Sequence, residues 1–327
     1  MQEHNGRMAN IQYELLSGRS LGITGMGNPK ASRVIVFCHP APGSSRFDPD
    51  PIASASRDVH ILAFDRPGYG ASDPLPAGKW PSIAQAADDM AEYLHAAAVT
   101  AQDLGGDIPA VGAVGWSAGG RVALALAARH PGLVDRVAVL ATPAPDGEVQ
   151  WIDPGLAAST ARLGTLAPDD AIEQFTDILL RRIGPLLPPD DPEEPVSLEL
   201  LGATDADARA LAYLGARDRL SFMLRDAFLQ GPRGLAADIL SYTVRDWGFD
   251  LDRVAAKTLL LYGGADAVAG HAHAAWYHDH LPDSRIEMSP GAGHLLIVPL
   301  WDRVLAHLAP GAKLQTEVTS PGVGAGS

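Results

Sequence analysis

The sequence predicts an α/β protein, a mostly parallel sheet of eight strands flanked by helices, with a helical insertion before its last two strands. Three observations carry this reading. Short apolar runs alternate with longer helical patterns, as in chained β-α-β units. The alternation breaks after about residue 142 and resumes only at Lys257. Between an apolar run and an Ala/Leu-rich helix lies Gly115-Trp116-Ser117-Ala118-Gly119, a tight turn from strand to helix.

The runs place strands near 11–16, 20–25, 33–38 (RVIVFC), 59–64 (VHILAF), 110–115 (AVGAVG), 136–141 (RVAVLA), 257–262 (KTLLLY) and 284–288. Continuous apolar strands of this kind are buried on both faces. From Ser82 to Val99, Ile83, Ala86, Met90, Tyr93, Leu94 and Ala97 recur at helical spacing behind an N-capping serine. A second helix runs from Ala118 to Arg129 and stops at His130-Pro131-Gly132. Helical patterns at 171–183, 206–214, 220–229 and 235–242 fill the gap, together with PLLPPDDPEEP at 185–195, too rich in Pro and acid for a regular element. Residues 1–142 and 249–310 are therefore expected to form the core, 143–248 a helical cap or lid, and 311–327 a flexible tail.

Bulk properties narrow the function. The 327 residues suffice for a large core, and no stretch approaches the ~18 apolar residues that span a bilayer. The first residues lack the pattern of a secretory signal, so a soluble, cytoplasmic protein is expected. A net charge of −14, with lysine only at 30, 79, 257 and 313, argues against nucleic acid as a partner. The single cysteine, Cys38, permits no intrachain disulfide and sits in an apolar run where a buried, inert thiol is expected. His271, His273, His278 and His280 do not share the i, i+4 spacing of helical metal ligands, so they are read as a solvated helix face and no metal is expected.

Serine is a poor nucleophile unless exposed beside a base, and a strained strand-to-helix turn lifts its hydroxyl out of the sheet. Ser117 is the candidate nucleophile. Its partners should follow in chain order, each past the end of a later strand. Asp266, after TLLLYGGA, fits the orienting acid; His294, after RIEMSPGAG, fits the base. Asp246 and Asp250 are rival acids but precede their strand. Two backbone N–H groups should hold the oxyanion, one after the nucleophile and one from the loop after the third strand. Ala118 and Ala41 are the candidates, because Pro40 and Pro42 have no N–H to give. His39 and Trp116 are possible pocket residues, His39 bracing the oxyanion loop; Asp65 and Arg66 are expected to tie the turn after the fourth strand. Among Trp151, Phe175, Tyr213, Phe222, Phe228, Tyr242 and Trp247, one or two facing the sheet would make an apolar substrate pocket.

These motifs resemble those of the α/β-hydrolase family over roughly residues 10–310. GWSAG looks like its nucleophile turn, HPAPGSS its H-G-x-P-G oxyanion loop, DRPGYGASD the turn after its fourth strand, and GGADAV and PGAGH its acid and histidine loops. Pro40 departs from the usual glycine. The resemblance implies the α/β-hydrolase fold, a catalytic triad, an oxyanion hole, an acyl pocket under a cap, and no cofactor. A serine hydrolase cleaving a carboxylic ester of a small or medium apolar molecule is the expected activity. HPAPGSS also resembles the loop of proline iminopeptidases, so amide or peptide hydrolysis stays open, as do lactonase, carbon–carbon hydrolase and cofactor-free haloperoxidase chemistry. A ligand-binding protein on the same scaffold is the alternative outside catalysis.

Overall fold

A computed structural model describes residues 8–103 and 110–311. The tail expected over 311–327 lies, apart from Gly311, outside the described residues. Eight strands form one sheet: β1 (Ala9–Glu14), β2 (Ser20–Gly27), β3 (Arg33–Cys38), β4 (His60–Phe64), β5 (Ala110–Trp116), β6 (Val134–Leu140), β7 (Lys257–Gly263) and β8 (Ser284–Ser289). Their order is β1-β2-β4-β3-β5-β6-β7-β8. β2 pairs antiparallel with β1 and with β4, and every other pairing is parallel. The predicted α/β-hydrolase architecture is therefore present, with each predicted strand within two residues of its place.

Alternation along β3 explains why the parallel strands are apolar throughout. Val34, Val36 and Cys38 join one core with α2 (Ile83–Asp103) and α3 (Gly119–Arg129), while Ile35 and Phe37 join the other beneath α1 (Pro51–Ser56). Each face must be covered, and one fully buried Val, Leu, Ile or Phe stabilises by roughly 1.5–3 kcal/mol. Burial also pushes the Cys38 thiol up to about 12, so it stays neutral and inert.

Between β6 and β7 run α4 (Pro154–Leu163), α5 (Pro168–Ile183), α6 (Ala208–Leu211), α7 (Ala216–Ala227) and α8 (Arg233–Thr243). Leu163, Ile172, Phe175, Leu235 and Leu240 form a third apolar cluster in this segment, which also takes in Tyr69. One expectation is corrected. The helix expected over 206–214 is shorter, a 3-10 turn, Asp205–Asp207, that runs into the single turn α6 and ends at Leu211, and Gly215, at a positive φ of 65°, turns the chain into α7. The apolar segment 295–300 forms turns ahead of α10 (Trp301–Leu308). The helix α4 lies where no helix was predicted; Asp153 caps it and Pro154 opens it.

His271, His273, His278 and His280 lie on α9 (His271–His280), but the expected solvated face holds only in part. His273 is buried and its Nδ1 accepts from the Ala144 N–H at 3.0 Å, a bond the chain needs there. Among the described residues no cluster of three His, Cys, Asp or Glu side chains is poised to hold a metal, and no helix is long and apolar enough to cross a membrane.

The turn after β5 leaves no room at its glycines. A Cβ on Gly115 would run into the Gly119 carbonyl, one on Gly119 into the Cys38 carbonyl, and one on Gly120 into Thr142. Backbone cannot yield as a flexible side chain can, so Gly115→Ala is expected to lower unfolding free energy by about 3 kcal/mol or more in denaturant melts. Gly184→Ala, where a Cβ meets open space at helical φ and ψ, should be neutral or stabilise by up to about 1 kcal/mol.

Candidate active site

Ser117 sits at φ 53°, a left-handed conformation rarely adopted by residues with a Cβ. The turn holds it there through its own N–H, which donates to the Leu140 carbonyl on β6 at 2.8 Å, and through Gly120, whose N–H donates to the Ser117 carbonyl at 3.1 Å. The hydroxyl thus points away from the sheet, over the start of α3.

His294 follows β8 and Asp266 follows β7, at the same end of the parallel sheet. His294 Nε2 lies 3.0 Å from Ser117 Oγ and its Nδ1 lies 2.9 Å from Asp266 Oδ2. An ionised carboxylate only accepts, so Nδ1 carries the ring proton and Nε2 is left to accept from the serine. Asp266 Oδ1 is itself fixed by the N–H groups of Val268 and Ala269, at 2.8 and 3.1 Å. The three predicted residues therefore form one chain of hydrogen bonds. The rival acids do not take part: Asp246 accepts from the Gly248 N–H, and with Asp250 it borders a different depression around Trp247.

Ala41 and Ala118 both border the cavity above Ser117. Among the described residues neither amide is engaged in a hydrogen bond, which leaves both N–H groups available to an oxyanion. The Ala41–Pro42 peptide bond is cis. The cavity measures about 260 Å³, and Trp151 and Tyr242 of the inserted segment are the two aromatics that reach it. His39 and Trp116, expected as possible pocket residues, do not line it. Both are fully buried: Trp116 ends β5 with its side chain turned into the body of the protein, and the His39 ring, just past β3, is held inside by the Arg66 N–H and the Pro40 carbonyl. Trp116 Nε1–H donates to the His294 carbonyl at 2.9 Å and so steadies the histidine loop.

His39 braces the oxyanion loop as expected. Its Nε2 accepts from the Arg66 N–H at 3.2 Å and its Nδ1–H donates to the Pro40 carbonyl at 2.7 Å. Burial, and then the Arg66 charge, hold its pKa well below the ordinary histidine value, so the ring stays neutral. Arg66 does more than tie a turn. Its guanidinium donates to the carbonyls of His39 and Pro40, at 2.6 and 2.8 Å, and pairs with Asp238 of α8 at 2.7 Å. The Tyr69 hydroxyl donates to the same carboxylate at 3.2 Å.

Two contributors were missed from sequence. Asp207, from the inserted segment, accepts from the Leu295 N–H at 2.8 Å and the Thr204 N–H at 2.9 Å, and lies where Gly293 leaves space beside His294. Arg121, one helical turn beyond Ser117, borders the cavity while buried. Asp207 belongs to a Thr204-x-x-Asp207 capping box, a signal the sequence does carry. For Arg121 only its place in the GWSAGGR run hints at the site.

The family profile described as the alpha/beta hydrolase fold matches residues 33–299. The pimeloyl-(acyl-carrier protein) methyl ester esterase of Nitrosomonas europaea is 27% identical over 248 residues, 74% of this chain and 81% of that protein. The enzyme of the same name from Neisseria meningitidis is 31% identical over 241 residues, 72% of this chain and 75% of its own. A hydrolase from Pseudomonas aeruginosa superposes with a TM-score of 0.62 at 22% identity, covering 94% of this chain and all of that one, which bears on the fold alone.

Asp65 supplies a pH test of the scaffold beneath the oxyanion loop. It accepts from the Ser45 and Ala71 N–H groups at 2.6 and 3.0 Å, yet burial, with Asp226 adding repulsion, raises its pKa to about 6. A raised carboxylate pKa means that the folded state holds a proton the unfolded state has lost, so its contribution is fully present below the ordinary value near 4 and is lost as pH rises through 6. The stability of wild type relative to Asp65→Asn should fall between pH 4 and pH 7 by on the order of 3 kcal/mol, read from denaturant melts at each pH.

Proposed function

The chain belongs to the α/β-hydrolase family, and on that premise we propose that it hydrolyses a carboxylic ester through an acyl-enzyme formed on Ser117. The observation that carries this reading is the unbroken line of hydrogen bonds from Asp266 through His294 to Ser117, at 2.9 and 3.0 Å, on the floor of a cavity. Nε2 of His294 takes the hydroxyl proton as Ser117 Oγ attacks the ester carbonyl. The Ala41 and Ala118 N–H groups hold the oxygen as it becomes negative. Nε2 then gives the proton to the leaving alcohol, and water, deprotonated by the same nitrogen, releases the acid. Asp266 stabilises the imidazolium at both stages. This cycle needs no cofactor.

The helical segment 143–248 serves in this reading as a cap, because Trp151 and Tyr242 reach over the serine from it. With Ala41, Pro143, Leu201 and Val268 they give the cavity an apolar lining suited to a small or medium acyl chain. The names of the curated relatives, methyl ester esterases, support an ester of a small alcohol.

Labelling with a fluorophosphonate and intact-mass analysis tests the reading, followed by a p-nitrophenyl ester series of increasing chain length. Wild type should gain one adduct that Ser117→Ala does not, and Asp266→Asn should lose about 10⁴-fold in kcat while remaining folded. A folded wild type that takes no adduct and turns over no ester, yet binds small apolar esters, would replace this reading with that of a binding protein.

A further inference from the structure

The cavity over Ser117, about 260 Å³, has a neighbour of about 270 Å³ that is bordered, apart from Arg121, by the segment 143–248. Arg121, Trp151 and Tyr242 border both, so these three side chains form the wall between them. The second cavity touches none of Ser117, Asp266 and His294, and the hydrolytic cycle gives it no part.

Trp151 is the fixed panel of that wall. Its N–H donates to Asp146 Oδ1 at 2.8 Å and its Nε1–H to the Ala144 carbonyl at 3.0 Å, and both partners lie in the chain that leaves β6. The indole stands 6.4 Å from the Tyr242 ring at a tilt of 31°, with the Arg121 guanidinium carbon 5.7 Å from the centre of the first and 4.4 Å from that of the second. A ring tied at both its backbone and its nitrogen holds one rotamer, and so serves as a rigid stop.

The cavity over Ser117 has two ends. At one, Gly202 comes so near that a Cβ on it would stand 2.9 Å from Val268 and 3.3 Å from the His294 ring. At the other, Arg121 Nη2 donates to the Pro143 carbonyl at 2.7 Å beside Trp151 and Tyr242. The leaving oxygen must face His294 Nε2 to receive its proton, which puts the alcohol at the Gly202 end. The acyl chain then runs toward Pro143 and ends against Trp151. Beyond the indole, the hydroxyls of Thr160 and Thr243 donate to the Ala157 and Ile239 carbonyls of their own helices, so an alkyl chain entering there breaks no bond of theirs.

We propose that Trp151 sets the acyl-chain limit of the site, admitting short chains and holding the second cavity closed to longer ones. This rests on the ester-hydrolase reading of Ser117 and adds its specificity-determining residue.

The test is the ratio of kcat/KM for p-nitrophenyl decanoate to that for the butanoate, measured in wild type, Trp151→Ala, Trp151→Phe and the double variant Trp151→Ala with Ala157→Phe. Trp151→Ala joins the cavities and should raise the ratio by roughly 10- to 100-fold, the worth of two or three further methylenes leaving water. Trp151→Phe keeps a ring in the wall and should raise it less. Ala157 borders only the second cavity, so Ala157→Phe refills that space from its far side and should cancel the gain, which loosened packing alone would not show. Trp151→Leu supplies the reading if the alanine variant does not fold. A folded Trp151→Ala or Trp151→Leu whose ratio stays at the wild-type value, or a gain that Ala157→Phe leaves intact, overturns the wall and leaves the ester reading standing. If wild type hydrolyses neither ester, the ester reading falls, and calorimetry of methyl nonyl ketone against methyl propyl ketone decides the wall by itself: their affinity ratio rises in Trp151→Ala if the wall stands and is unmoved if it does not.

Discussion

A serine held at φ 53° between a strand and a helix is the constraint around which the rest of this structure is arranged. Such a conformation costs about 1–2 kcal/mol for a residue with a Cβ, so it persists only where the surroundings over-determine it. Here they do so in two ways. The Ser117 N–H is bound to the Leu140 carbonyl, which ties the turn to the next strand, and Gly115, Gly119 and Gly120 let the chain fold back where no side chain fits. The close approach of Gly119 to the Cys38 carbonyl brings the turn against the end of β3, where the oxyanion loop begins. One strained residue thereby sets the distance between the proposed nucleophile and both proposed oxyanion donors.

The supports around the site run from the sheet into the inserted helices. Arg66 holds the His39 and Pro40 carbonyls and reaches Asp238 on α8, so the oxyanion loop and the inserted segment share one buried ion pair. Asp207 ties the histidine loop to the same segment by accepting from the Leu295 N–H. Breaking the Arg66–Asp238 pair would leave an unpaired buried charge at a cost of several kcal/mol, so the oxyanion loop is fixed more firmly than loop length alone would allow. This arrangement also explains how Pro40 is accommodated where a glycine was expected. Arg66 uses the Pro40 carbonyl, the group proline retains, and Ala41 supplies the N–H that proline lacks.

Much of this was legible in the sequence because the signals are local. Apolar runs gave the strands, and GWSAG with its flanking strand and helix located Ser117. Asp266 and His294 followed from their places after later strands. Residues whose roles depend on contacts across the fold were not legible. Trp116 and His39 were expected near the pocket, but the alternation of β5 turns Trp116 into the body, and Arg66 together with the Pro40 carbonyl holds the His39 ring inside. Arg121 reads as an ordinary helix residue until Trp151, Tyr242 and Trp247 close around it from segments at least thirty positions away. His273 was grouped with its exposed neighbours because nothing local shows that Ala144 needs an acceptor. The helix expected over 206–214 ends early, at Leu211, and Gly215 serves instead to turn the chain into α7.

The account turns on a single geometry, a nucleophile and two backbone donors converging on one oxygen position. A crystal structure of the protein after reaction with a small alkyl fluorophosphonate reads that geometry directly. The account predicts phosphorus bonded to Ser117 Oγ, with the phosphoryl oxygen within hydrogen-bond distance, about 2.7–3.1 Å, of both the Ala41 and Ala118 N–H groups. A phosphonyl group on another residue, or one on Ser117 whose oxygen faces away from both amides, would contradict it.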